Sequence, residues 1–129
     1  MRRSILVTLL GLLVSVAPAR ALDLARLRIL DGIATEGQFG FSATVVGDMD
    51  GDGFAEYVVG APSDETGGPG AGRVFLYRGG PQHAGEGPAF VWTGQAGDVL
   101  GYAVAAAGDL DGDGYADLLI GAPGGTSVA

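Results

Sequence analysis

From position 39 onward the chain runs as short apolar segments separated by clusters of Gly, Asp and Pro, and no helical periodicity is present after Ala34. That pattern predicts strands joined by tight turns. The segments expected as strands are Phe41 to Val46, Tyr57 to Val59, Arg73 to Arg78, Ala89 to Trp92, Tyr102 to Ala107 and Leu118 to Ile120. Upstream, Leu22 to Leu30 is compatible with either a short helix or a strand.

The same order of signals returns after 61 residues. Gly47-Asp48-Met49-Asp50-Gly51-Asp52-Gly53-Phe54-Ala55-Glu56 recurs as Gly108-Asp109-Leu110-Asp111-Gly112-Asp113-Gly114-Tyr115-Ala116-Asp117, while Phe39-Gly40 maps onto Leu100-Gly101 and Gly60-Ala61-Pro62 onto Gly121-Ala122-Pro123. Several motifs in one register define an internal repeat. Four antiparallel strands per repeat describe the blades of a β-propeller, and the expected fold is therefore all-β, a partial propeller with aspartate-rich hairpin loops. The segment at 22–38 reads as an N-terminal segment with an outer strand at Leu27 to Leu30, residues 39–99 as a whole blade and residues 100–129 as a blade carrying its first two strands. Propellers close with about four to eight blades, so these units do not make a ring alone.

At the start, Arg2 and Arg3 precede an apolar or small run of 12 residues, Ile5 to Val16, followed by Ala19-Arg20-Ala21. This is the order of a secretory signal peptide, residues 1–21, and the run falls short of the roughly 20 residues that span a bilayer. A secreted or periplasmic location is the consequence. Removing it takes away three arginines and no acid, which leaves four basic against fifteen acidic residues and a net charge of −11. Such a surface repels nucleic acid and anionic membranes and attracts cations. With no cysteine in the chain, an exported protein must find a stabiliser other than disulfides.

Calcium is the expected one. It is a hard cation that takes six to eight oxygens at about 2.3–2.6 Å, and Asp at alternate loop positions aims short carboxylates at one point. Asp48, Asp50 and Asp52 with Glu56 supply four acids in the first loop, and Asp109, Asp111 and Asp113 with Asp117 supply four in the second. Gly53 and Gly114 stand where the loop turns sharply. An EF-hand shares these spacings but needs Glu at position 12, where this chain has Val59 and Ile120.

These repeats resemble FG-GAP repeats, the blades of the integrin α-chain propeller, on Phe39-Gly40, Gly60-Ala61-Pro62 and both aspartate loops. The resemblance implies one calcium ion per loop, two in all, held by the eight acids together with the backbone carbonyls of Phe54 and Tyr115. It also implies a non-catalytic secreted module for adhesion or for binding an extracellular protein or glycan. Two positions depart from the pattern: Glu56 stands for Asp, and Leu100 for Phe.

The alternatives are an accessory repeat region of a larger secreted hydrolase, and self-association or further blades in a longer chain. No catalytic constellation accompanies them. His83 is the single histidine, which excludes a His-pair zinc site, and it is expected as a solvated loop residue. Asp64 and Glu65 are expected as a solvated acidic tip, and Trp92 as a packing residue between blades.

Overall fold

The computed structural model describes Leu30 and residues 36–125. The expected signal peptide and all but one residue of the Leu27–Leu30 strand lie outside the described residues, and Leu30 itself is in no strand. Among the described residues there are six strands, in chain order β1 (Ser42–Gly47), β2 (Glu56–Ala61), β3 (Arg73–Tyr77), β4 (Phe90–Thr93), β5 (Ala103–Gly108) and β6 (Asp117–Gly121). The first four form one antiparallel sheet in the order β1-β2-β3-β4, and the last two form a second. The chain is thus all-β, with one four-stranded blade and a two-stranded piece of the next. Among the described residues no helix is long and apolar enough to cross a membrane.

Each of the six strands predicted from Phe41 onward is present, with ends displaced by no more than two residues. In both first hairpins the pairing slips at the same place, between Val45 and Gly47 and between Ala106 and Gly108. Such a bulge bends the strand and re-aims the loop residues beyond it. Gly47 and Gly108 have φ of 115° and 69°, a region that costs glycine little. The repeat therefore extends to backbone irregularities just ahead of each aspartate loop.

Alternation along β2 and β3 sends side chains to two faces of the first sheet. One face carries Val59, Ala61, Phe75 and Tyr77, packed with Leu30, Phe39, Tyr57 and Val91. Phe39 meets Phe75 edge to face at 5.2 Å, and Tyr57 stacks on Tyr77 at 5.3 Å. The opposite face, Val46, Val58 and Val74, receives Leu100, Val104, Ala116, Leu118 and Ile120 from the second blade. That is the seam between blades. Trp92 packs there too, as the sequence implies. Full burial of Phe75 or Val58 contributes about 1.5–3 kcal/mol each.

Backbone contacts tighten the seam beyond what side chains achieve. A Cβ on Gly60 would stand 2.2 Å from the Gly101 carbonyl oxygen, so only glycine permits the approach. Ser42 Oγ donates to that same oxygen at 2.7 Å. Nearby, Val99 and Leu100 donate their N–H groups to the carbonyls of Gly70 and Ala71, at 2.9 and 3.0 Å. The Gly60 of the repeat motif is thus a contact between blades as well as a strand residue.

Candidate metal centres

The β1–β2 connection, residues 48–55, is folded around its own carboxylates. Asp48 accepts the Gly51 N–H at Oδ1 (2.6 Å) and the Gly53 N–H at Oδ2 (2.9 Å). Asp50 Oδ1 accepts from Asp52 N–H at 3.1 Å, and Asp52 Oδ1 from Phe54 N–H at 2.8 Å. Glu56, the first residue of β2, turns back and accepts the Met49 N–H at 2.7 Å. Short Asp side chains favour such turns because they reach backbone two residues on.

The second loop repeats all five of these bonds and adds one, from Asp113 N–H to Asp109. Asp109 accepts from Gly112 (2.7 Å), Asp113 (3.0 Å) and Gly114 (2.9 Å). Asp111 accepts from Asp113 at 3.1 Å, Asp113 from Tyr115 at 2.9 Å, and Asp117 from Leu110 at 2.7 Å. Gly51, Gly53, Gly112 and Gly114 all have φ between 78° and 93°, which explains why glycine stands at these loop positions in both copies.

Three of the four acids in each loop converge. Asp48, Asp50 and Glu56 each offer an oxygen within 4.8 Å of the other two, and Asp109, Asp111 and Asp117 do the same. Two oxygens on opposite sides of a calcium ion would lie about 4.6–5.2 Å apart at ordinary Ca–O distances, so each triad fits inside one coordination sphere. An all-carboxylate donor set suits a hard cation and not zinc or copper, which favour nitrogen and sulfur. The residues present therefore fit a divalent ion such as calcium.

Asp52 and Asp113 stand outside these triads. Asp52 Oδ2 instead faces Gln82 Nε2 at 3.4 Å and His83 Nε2 at 3.8 Å. Phe54 and Tyr115 each donate their own N–H to the Asp two residues earlier, and their side chains are largely exposed. The N–H bonds from Gly53 first, then Gly51, hold the Asp48 carboxyl below its ordinary value against an opposing effect of burial.

Of two residues expected in solvent, one is partly and the other fully withdrawn from it. His83 is 19% exposed, held between Glu86 at 2.8 Å and Asp52. It belongs to a short 3₁₀ turn, Pro81–His83, that brings it over the first loop. Asp64 is 2% exposed, so the acidic tip is not solvated as a pair. Its carboxylate accepts Thr66 N–H at 2.9 Å and faces Arg73 at 3.7 Å, and Arg73 lies over the Phe75 ring at 4.9 Å. Donors and a neighbouring guanidinium offset the cost of withdrawing a carboxylate from water.

One contributor to the first site gives no local signal. Arg78 comes directly after β3 and places Nε 3.2 Å from Asp50 Oδ2, 28 positions away in the chain. The antiparallel order β1-β2-β3 returns the end of β3 to the β1–β2 loop, and that return is the signal available to sequence reading.

The two loops also touch each other. Ala116 N–H donates to the Asp48 carbonyl at 3.1 Å, and a Cβ on Gly51 would meet the Tyr115 ring at 3.0 Å. The second loop therefore braces the first.

Comparison with known proteins gives a consistent result. The FG-GAP repeat family model matches residues 39–77 and 100–129. Human integrin alpha-7 is 38% identical over 95 residues, 72% of this chain and 8% of the integrin. Xenopus laevis integrin alpha-5 is 39% identical over 101 residues, covering 74% of this chain and 9% of that protein. Drosophila melanogaster integrin alpha-PS2 is 34% identical over 101 residues, 73% of this chain and 7% of its own length. The chain thus spans less than a tenth of the length of these relatives.

Proposed function

Since this chain belongs to the FG-GAP repeat family, we propose that it is a non-catalytic, secreted, calcium-binding propeller module that serves extracellular adhesion or the binding of a protein or glycan ligand. The observation that carries the reading is the carboxylate triad built twice, in one 61-residue register, with the same backbone bonds. Integrin α-chains among the relatives supply the link to adhesion.

Asp48, Asp50 and Glu56 would hold one ion, and Asp109, Asp111 and Asp117 the other. Asp52 and Asp113, with the carbonyls of Phe54 and Tyr115, complete the proposed donor sets. Bound calcium supplies positive charge at the point where like charges converge, which turns a repulsion that opposes folding into an attraction. The chain's own part is to pre-order that point. The N–H bonds onto Asp48 and Asp109 fix each turn, Glu56 and Asp117 tie it to the strand, and the Ala116–Asp48 bond ties the two turns together. A rigid loop rim is what a ligand-binding face of a propeller needs, because ordering it on binding would cost affinity.

Calorimetry with and without chelator tests this. An ion bound only by the folded chain stabilises by RT ln(1 + [L]/Kd), or about 2.7 kcal/mol at a hundredfold excess over Kd. The expected outcome is a higher melting temperature in millimolar calcium, since extracellular sites need only about 10⁻⁴–10⁻³ M affinity. An unchanged profile at saturating calcium would overturn the calcium reading.

A further inference from the structure

Every carboxylate oxygen of the first triad has a partner, and one partner differs in kind from the rest. Five of the six oxygens accept backbone N–H groups: those of Gly51 and Gly53 on Asp48, of Asp52 on Asp50, and of Met49 and Gly79 on Glu56. The sixth, Asp50 Oδ2, faces the Arg78 guanidinium at 3.2 Å. A neutral N–H occupies one lone pair of a carboxylate oxygen and leaves another free, so these five donors are compatible with a bound cation. A guanidinium carries a full positive charge and repels one.

The fold keeps Arg78 at this place. β2 and β3 pair in a register that sets Tyr57 opposite Tyr77, so the next residues out, Glu56 and Arg78, meet at the same end of the sheet. Gly79 then lies so close to the loop that an added Cβ would collide with the Ala55 carbonyl oxygen, which fixes the backbone just beyond Arg78. The side chains are looser. Arg78 is 48% and Asp50 36% exposed, and an ion pair in such contact with water is held only weakly. An anchored backbone with a weakly held charge lets the guanidinium stay near the site and still yield Asp50 to a competing cation.

We propose that Arg78 is a built-in counter-cation of the first site. Without an ion, it offsets part of the repulsion among Asp48, Asp50, Asp52 and Glu56; by the same charge, it lowers the affinity of this site for a divalent cation. The proposal rests on the calcium reading above and sets how that site responds. The metal-free loop keeps its shape, and the site fills at a higher calcium concentration than its acids alone would need.

Amide NMR of the full 129-residue chain during a calcium titration reads the two sites separately, through Gly53, bonded to Asp48, and Gly114, bonded to Asp109. Arg78→Gln should lower the first-site Kd about two- to fivefold, the scale of one partly exposed charge pair, and leave the Gly114 value nearly unchanged. Arg78→Lys, which keeps the charge, should stay close to the parent chain at both glycines. In chelator, Arg78→Gln should lower the urea midpoint, because the loop loses its counter-charge. A first-site Kd that is unchanged or rises in Arg78→Gln, as a residue that only shapes the loop would give, overturns the proposal while the Gly114 titration still supports calcium binding. So does an Arg78→Lys variant that behaves like Arg78→Gln. If neither glycine shifts with calcium, the calcium reading falls and this proposal with it.

Discussion

Glu56 and Asp117 close the same turn in two blades and accept the same N–H, from Met49 and Leu110, at 2.7 Å in each. Yet Glu56 is 1% exposed and Asp117 only half-buried. The extra methylene lets Glu56 reach Gly79 N–H at 3.4 Å, and the chain after β3 lays Arg78 and His83 over the first loop. Around the second loop, among the described residues, no such cover is present. The comparison separates two properties that one sequence motif joins. Turn geometry is set locally and is the same in both loops, whereas electrostatic cost is set by what lies above. Burial without countercharge raises the cost of an ionised acid, and a neighbouring guanidinium lowers it.

The largest effect that would test the contrast between the blades is at their glycines. Gly60→Val drives a side chain into the Gly101 backbone, which cannot yield as a flexible side chain does. Overpacking of this kind costs about 1–3 kcal/mol and often more against backbone. Gly121→Val brings its Cβ into ordinary van der Waals contact with Ala103, 3.4 Å away, and its expected cost is under about 0.5 kcal/mol. Urea denaturation at low protein concentration would measure both. Equal costs would mean that the seam is not where the backbone approach matters.

A middle-sized effect comes from the closing acids. In chelator, Glu56→Ala leaves two N–H groups, of Met49 and Gly79, without their acceptor in a buried place, at about 2–3 kcal/mol. Asp117→Ala frees only the Leu110 N–H, which water can reach, and should cost under about 1 kcal/mol. The same denaturation series decides it. If the two substitutions cost the same, cover by the chain after β3 contributes nothing to the first loop.

The smallest effect is a pH dependence in the first loop. Asp48 is held below its ordinary 3.8 chiefly by the Gly53 N–H, so its folded-state pKa is lower than its unfolded one. The stability it contributes is therefore present above 3.8 and is lost as pH falls through the lower folded value. A carboxyl carbon NMR titration of the metal-free chain should show Asp48 titrating below the usual Asp range. Gly53→Ala, at φ 87°, should move it back up as the turn loosens.

Much of this molecule is legible in the chain alone. The 61-residue register, the six strands and both acidic loops come from residues a few positions apart. So does exclusion of helix-loop-helix geometry, since Val59 and Ile120 sit within β2 and β6. The partial burial of His83 and the full burial of Asp64 were not legible. Each depends on a partner beyond its own turn, Asp52, 31 positions back, for the histidine and Arg73, nine positions on, for the aspartate.

The sequence by itself determined where each turn bends and which oxygens line it, because Asp, Gly and their spacing act through hydrogen bonds to backbone two to seven residues away. Tertiary structure alone decided which three of four acids converge, that Glu56 is buried while Asp117 is not, and which glycines face a neighbouring backbone. Burial and close approach belong to pairs of surfaces. Their partners lie tens of residues apart in the chain, where no local pattern records them.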